Sequence, residues 1–249
     1  MLGAQVLIVV LIIAGMQVLN ATSGRLVMPA PADVWRQSVA MWADGSIPVA
    51  LAQTMAVLLL GFAAAAVSGV FAGIVLGGVP VLGRMFDPFV NALNATPSAA
   101  FIPLIIIWFG LYTEAKVALV WNAAFFPILI STASGVANAN RDLIEMAQSF
   151  GADRRRLFWQ VMVPDALPSI LSGLRIGAAI AIVGTVIAEL TMAQSGLGGL
   201  MIMAGNRFQM DRYFAVVIVM MALGTALTAA LRWVERRFGQ WRIAQAKGR

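Results

Sequence analysis

The sequence contains no cysteine and no histidine, and lysine occurs only as Lys116 and Lys247. Without cysteine there are no disulfides and no thiol nucleophiles. Without histidine there is no imidazole base, and the two absences together remove nearly all zinc sites and haem ligation by either residue. Neither lysine stands in a G-x-x-x-x-G-K-[ST] loop, so the chain has no phosphate-cradling route to ATP of that kind. A carboxylate or hydroxyl mechanism remains formally open. Charge is scarce as well: 11% of the 249 residues are Asp, Glu, Lys or Arg, against about 25% in a soluble domain.

In place of charge there are long apolar runs. Hydrophobic residues make up 61% of the chain, too many for one soluble core. Met1–Gly24, Pro48–Gly83, Phe89–Thr113, Val117–Asn140 and Ile176–Ala188 carry no charged side chain. About 20 apolar residues cross a bilayer as a helix, so the composition predicts an all-α, polytopic membrane protein. The net charge of +6 does not point to nucleic acid. No basic stripe with interleaved exposed aromatics lies outside the apolar runs, and membrane proteins collect Arg and Lys on cytoplasmic loops.

Six spans are expected. The first, Leu2–Leu19, lacks the basic start of a signal peptide and is followed by further spans. The missing N-terminal positive charge fits a true start further upstream. A polar connection, Ser23–Ile47, opens with Pro29 and Pro31. It then forms a short helix, Ala32–Asp44, with Trp35, Val39 and Trp42 near one face, suited to the membrane–water interface. Span 2 covers about Val49–Gly78, with Gly69, Gly73 and Gly77 as a ridge for close helix packing. A loop with Arg84 and Asp87 follows. Span 3, Phe89–Phe109, is broken by Pro97 and Pro103. Span 4 covers Lys116–Val136, span 5 Pro168–Met192 and span 6 Tyr213–Val234, ahead of a basic tail.

Sidedness follows from the positive charges. Arg84, Arg141, Arg154, Arg155, Arg156, Arg175, Arg232, Arg236, Arg237, Arg242, Lys247 and Arg249 lie on one side, twelve in all. Arg25, Arg36, Lys116, Arg207 and Arg212 lie on the other, five in all. The larger group marks the cytoplasm, which puts both termini and the Asn138–Asp165 loop there.

That loop is more than a connector. Asn140 is placed to cap a helix over Arg141–Phe150, and Gly151 to end it. Leu143, Ile144, Ala147 and Phe150 share a face. Asp153 is placed to cap a second short helix holding Leu157, Phe158 and Val161, with Pro164 stopping it and Asp165 capping the next span. An apolar face on the cytoplasmic side invites a protein partner.

Within the loop, Glu145-Met146-Ala147, Gly151 and Val161-Met162-Val163-Pro164 resemble the E-A-A…G…I-x-L-P signature of binding-protein-dependent ABC importer permeases. The spacing matches throughout, with Met146, Val161 and Val163 as mild apolar departures. FGADRRRLFWQVMVPDALPSILSGLRIG, AELTMAQSGLGGLM and PLIIIWFG at Pro103–Gly110 look like the nitrate/sulfonate/taurine branch. The resemblance runs from about Pro29 to Val234.

It implies a MetI-like permease fold. The whole chain, 1–249, would be one transmembrane permease domain containing the cytoplasmic coupling loop 138–165. It implies a multi-pass protein of the bacterial inner membrane that catalyses nothing and holds no cofactor or metal. The implied partners are a second permease copy, most simply an identical one, two cytoplasmic ATPase subunits that bind ATP and Mg, an extracytoplasmic solute-binding protein, and lipid. Glu145, Ala147, Phe150, Gly151 and Ala152 would form the coupling element. The implied cargo is a small anion such as a sulfonate, taurine or nitrate.

Polar groups inside spans are costly and often functional. Glu189, Arg175, Asn122 and Asn94 are therefore candidates for the translocation path or its gate. Their plainer readings are an interface-level carboxylate, a snorkelling arginine and interhelical hydrogen bonds. Glu189 is placed to bond the Gly196–Gly199 backbone or Arg207 beside a glycine-rich turn, Ser195–Gly199. Two other readings are an ion-coupled secondary transporter, which the lack of a visible internal repeat disfavours, and an intramembrane enzyme, which the lack of His and Cys and the scarcity of intramembrane carboxylates disfavour.

Overall fold

A computed structural model describes residues 14–22, 28–192 and 195–246. Most of the expected span Leu2–Leu19 lies outside the described residues, as do Arg25, Lys247 and Arg249. Every regular element among the described residues is helical. The helices are α1 (residues 14–22), α2 (Pro31–Ala43), α3 (Ser46–Gly78), α4 (Pro80–Ala95), α5 (Ile102–Phe109), α6 (Thr113–Ala137) and α7 (Arg141–Ser149). Then come α8 (residues 154–165), α9 (Leu167–Met192), α10 (Gly196–Asn206) and α11 (Met210–Ala246). Four of these, α3, α6, α9 and α11, are long and apolar enough to cross a membrane, and α4 with Ser98–Phe109 forms a bent pair that passes the same test.

Two compact units are formed: Met1–Thr54 with Glu189–Arg249, and Met55–Ala188. In the first, α2 buries Val34 and Met41 with Ile47, Ala50, Leu197, Met201, Ala215 and Val216. The opposite face of α2 presents Trp35, Val39 and Trp42, each at least half exposed, as the spacing of those residues predicts. Asp44 and Ser46 join α2 to α3. The Asp44 carboxylate accepts the Ser46 hydroxyl and its backbone N–H, the latter at 2.9 Å, and these bonds hold it below the usual carboxylate range.

The second unit is built on glycine. A Cβ placed on Gly61 would stand 2.6 Å from Val120 Cβ. One on Gly69 would stand 3.1 Å from Ile128 Cγ2, one on Gly73 2.5 Å from Thr132 Cβ, and one on Gly77 2.8 Å from Val136 Cβ. Both residue numbers rise together, so α3 and α6 run parallel. On α9 the order reverses: Gly173 meets Ser131, Gly177 meets Ile128 and Gly184 meets Ala123, so α9 runs antiparallel to α6. Small residues let these backbones approach where lipid supplies no hydrophobic drive for helix association.

The parallel pairing has a topological consequence. Between Gly77 and Val120 the chain must return along the whole contact, about 1.5 Å per helical residue. The bent pair lies within this return, its two halves meeting at 91°. The expected loop at Arg84 and Asp87 is helical instead, because α4 starts at Pro80, where a missing N–H costs nothing. Pro97 marks the break as expected. Pro103 does not break anything; it sits in the first turn of α5.

Candidate functional site

The cytoplasm-assigned segment is locked at both ends of α7. The Asn140 side-chain oxygen accepts the Asp142 N–H at 2.9 Å. At the other end Gly151 takes φ +79°, in the left-handed region. The Gly151 N–H donates to the Gln148 carbonyl at 2.9 Å and the Ala152 N–H to the Ala147 carbonyl at 3.0 Å. This pair of bonds is the Schellman arrangement that closes a helix on glycine. Ala147, Gly151 and Ala152 are thus parts of one lock. Glu145 is exposed on the same helix.

The expected apolar face divides. Ile144 and Ala147 are half-buried, and α7 packs against α8. Leu143, Met146 and Phe150 point outward, with Phe150 87% exposed. The outward stripe thus includes Met146, one of the departures from the signature.

Asp153 caps the next helix as expected, accepting the Arg156 N–H at 3.0 Å. Pro164 does not stop that helix. Leu157–Met162 widens into a π-helix, and Val163–Asp165 continues as α-helix to a turn at Ala166. A proline ring clashes with the carbonyl four residues back, and the wider turn before Pro164 relieves that clash. Asp165 does not cap α9 as expected; its carboxylate accepts the Asn140 backbone N–H at 2.8 Å.

The second constellation surrounds Glu189, which is fully buried. Its Oε1 accepts the Thr54 hydroxyl at 2.8 Å and its Oε2 accepts the Gly198 N–H at 2.9 Å. Thr54 Oγ1 in turn accepts the Leu197 N–H at 3.0 Å, and Gln53 Oε1 accepts the Gly196 N–H at 2.9 Å. Three of the N–H groups that a helix start leaves unpaired are therefore satisfied by side chains of α3 and α9. The carboxylate sits where the positive end of the α10 dipole favours it.

The glycines make room for this arrangement. Gly196 has φ +84°, and a Cβ there would collide with the Glu189 carboxylate. A Cβ on Gly198 would lie 2.5 Å from Glu189 Cβ. The glycine-rich segment is thus the first turn of α10 and not a free turn. Glu189 does not face water, and its expected bond to this backbone is present. Arg207 ends α10 as its C-cap.

The other candidates are dispersed. Asn94 and Arg175 are exposed on α4 and α9, and Asn122 is half-buried in α6. Gln53 and Thr54 were not singled out from the sequence. Their signal was weak: two polar residues inside an otherwise apolar run.

Comparison with known proteins gives these features a context. The family described as binding-protein-dependent transport system inner membrane component matches residues 65–240. The taurine transport system permease protein TauC of Escherichia coli is 34% identical over 198 residues, covering 80% of this chain and 72% of that protein. The putative aliphatic sulfonates transport permease protein SsuC of Bacillus subtilis is 30% identical over 242 residues, covering 97% and 86%. Among solved structures, an inward-facing MetNI methionine ABC transporter chain superposes with a TM-score of 0.66 at 18% identity, covering 80% of this chain and 97% of that one. That likeness establishes the MetI-like fold. With a buried polar constellation, a locked amphipathic loop and helices that cross the bilayer, the chain belongs to the family of inner-membrane components of binding-protein-dependent transport systems: it is a multi-pass ABC importer permease and not the ATPase.

Proposed function

We propose that this permease imports a small organosulfonate, with taurine the first candidate, delivered by an extracytoplasmic binding protein. The similarity to the taurine and sulfonate permeases supports the cargo class. In this reading 1–249 works as one permease domain, two identical copies form the path, and both termini and loop 138–165 face the cytoplasm. Two ATPase subunits, which bind the ATP and Mg, receive the Leu143–Met146–Phe150 stripe. Glu145, Ala147, Gly151 and Ala152 shape the docking turn. The observation that carries the coupling role is Phe150. A phenylalanine 87% exposed beside a helix closed by two backbone bonds is a rigid apolar knob, and such a knob calls for a groove.

Glu189 acts as a gate residue in this reading. Its bonds to α10 and to Thr54 hold the helix start closed until α9 moves. It is fully buried and both its oxygens already accept hydrogen bonds, so it is not presented to cargo, and it would repel the sulfonate group. Asn94, Asn122 and Arg175 are assigned to the path. The cargo reading is tested by uptake of labelled taurine in a strain lacking its own taurine and sulfonate importers and carrying this permease with its ATPase and binding protein. Saturable, ATP-dependent uptake supports it. Absent taurine uptake, with retained uptake of another class of solute, overturns the cargo and leaves the importer.

A further inference from the structure

The segment after the coupling helix touches more than the span it leads into. Phe158, on the π-helical stretch of α8, lies against Gly78, the last residue of α3. A Cβ added to Gly78 would collide with the ring, standing 2.8 Å from Cζ and 3.1 Å from Cδ2. Phe158 and Met162 also pack against a buried cluster of Val136, Ala166 and Ile170, together with Val70 and Ile74 of α3. One aromatic ring thus joins the end of α3, while the chain itself continues from α8 into α9 through Ala166.

Open space lies beside this joint. A cleft of about 540 Å³ is bordered by Gly77 and Gly78 of α3, Arg84 and Asp87 of α4, Ser134 of α6, and Met162 of α8. Close-packed interiors pass displacement on, and a cleft gives the displaced parts somewhere to go. The π-helix adds a local irregularity of the kind that recurs at functional sites.

The geometry points to Phe158 as a positioning residue for coupling: seated on Gly78, it carries movement of the cytoplasmic segment into α3, in parallel with the covalent route into α9. This rests on the proposed docking of the ATPase to loop 138–165. Glycine at 78 is required because any side chain would fill the seat. The ring is required because a smaller group would leave the seat slack.

The test uses the full chain co-purified with its ATPase in nanodiscs. The natural absence of cysteine allows two single reporters, Val79→Cys beyond the end of α3 and Leu167→Cys at the start of α9, both exposed positions. Labelling by an impermeant maleimide is timed without nucleotide and with ATP and vanadate. With Phe158 and Gly78 unchanged, both reporters change rate several-fold between the two states. Phe158→Ala abolishes the change at position 79 and keeps it at 167. Gly78→Ala does the same by crowding, and adding Phe158→Leu to Gly78→Ala restores the response at 79. That double variant keeps the test open if Phe158→Ala fails to fold. A response at 79 that survives both single variants overturns the inference. So does loss at 167 together with 79, or failure of the double variant to restore the response. If the unchanged chain retains no ATPase, the docking reading fails first.

Discussion

The backbone N–H of Asn140 donates to the carboxylate of Asp165 at 2.8 Å, tying the start of α7 to the last residue before the turn into α9. The two residues are separated by the whole of α7 and α8, so this bond closes the segment into a loop. Asp165→Ala removes a hydrogen bond to a charged acceptor, worth about 1.5 kcal/mol at the low end for such bonds. Amide exchange across α7 is expected to quicken roughly tenfold. Asp165→Asn, which keeps an acceptor oxygen, is expected to change it less. Equal exchange in all three proteins would show that the tie does not hold the loop.

Gly151 separates backbone need from steric need. Its φ is +79° and nothing lies within 4 Å of a Cβ built there. Gly151→Val is expected to abolish transport while the permease still inserts, through a backbone cost of about 1–2 kcal/mol or more. Asn tolerates this conformation better. If the turn alone matters, Gly151→Asn keeps most transport. If the ATPase comes close, Asn fails as Val does. Normal transport by the Val variant would remove Gly151 from the coupling element.

Thr54 and Glu189 are expected to act as one device. Glu189→Gln keeps the shape and removes the charge. Thr54→Val removes the donor to Glu189 and leaves the buried Leu197 N–H without its acceptor, at a cost of about 1–3 kcal/mol. Both variants are expected to raise basal ATP hydrolysis and weaken its dependence on the binding protein, with solute preference unchanged. Thr54→Ser should behave as the parent. A changed solute preference in either variant would instead indicate contact with cargo.

Packing of α3 on α6 gives a pair of opposite expectations. Gly73→Leu forces a side chain against Thr132 and the Leu129 carbonyl, and is expected to destabilise by about 1–3 kcal/mol. The Thr132 hydroxyl is fully buried and has no hydrogen-bond partner among the described residues. Thr132→Val is therefore expected to be neutral, or stabilising by up to about 1 kcal/mol. Thermal unfolding in detergent checks both, and destabilisation by Thr132→Val would mean that the hydroxyl is paired in the membrane.

Topology is open to thiol labelling. Ala43 is exposed on α2 and Gln148 on α7. Ala43 is a better reporter position than Asp44, whose carboxylate holds Ser46. In intact cells an impermeant thiol reagent is expected to label Ala43→Cys and spare Gln148→Cys. The reverse pattern would invert the proposed orientation.

Family membership settles the choice among transporter classes, and the ion-coupled and enzymatic readings fall with it. The signature residues that carried the family in the sequence lie in one short stretch, Glu145–Pro164. Asn140 capping Asp142, Asp153 capping Arg156 and the glycine at 151 are local bonds, and local bonds leave local sequence signals. Expectations went wrong at prolines. Pro103 begins a helix instead of breaking one, and Pro164 widens one without ending it. Proline removes a donor and a fixed angle wherever it stands, but whether the chain stops, starts or bulges depends on what packs beside it.

The sequence by itself determined that this chain crosses a membrane, which family it joins and where its signature segment turns. Long uncharged runs and short-range caps are read within one helix turn or one bilayer thickness. Only the tertiary structure decided that the glycines of α3 run parallel to α6, that Phe158 seats on Gly78, and that Glu189 is held by Thr54. Thr54 and Glu189 lie 135 positions apart in the chain, and Gln53 and Gly196 lie 143 apart. No periodicity links residues that distant; the packing of glycine-lined helices brings them together.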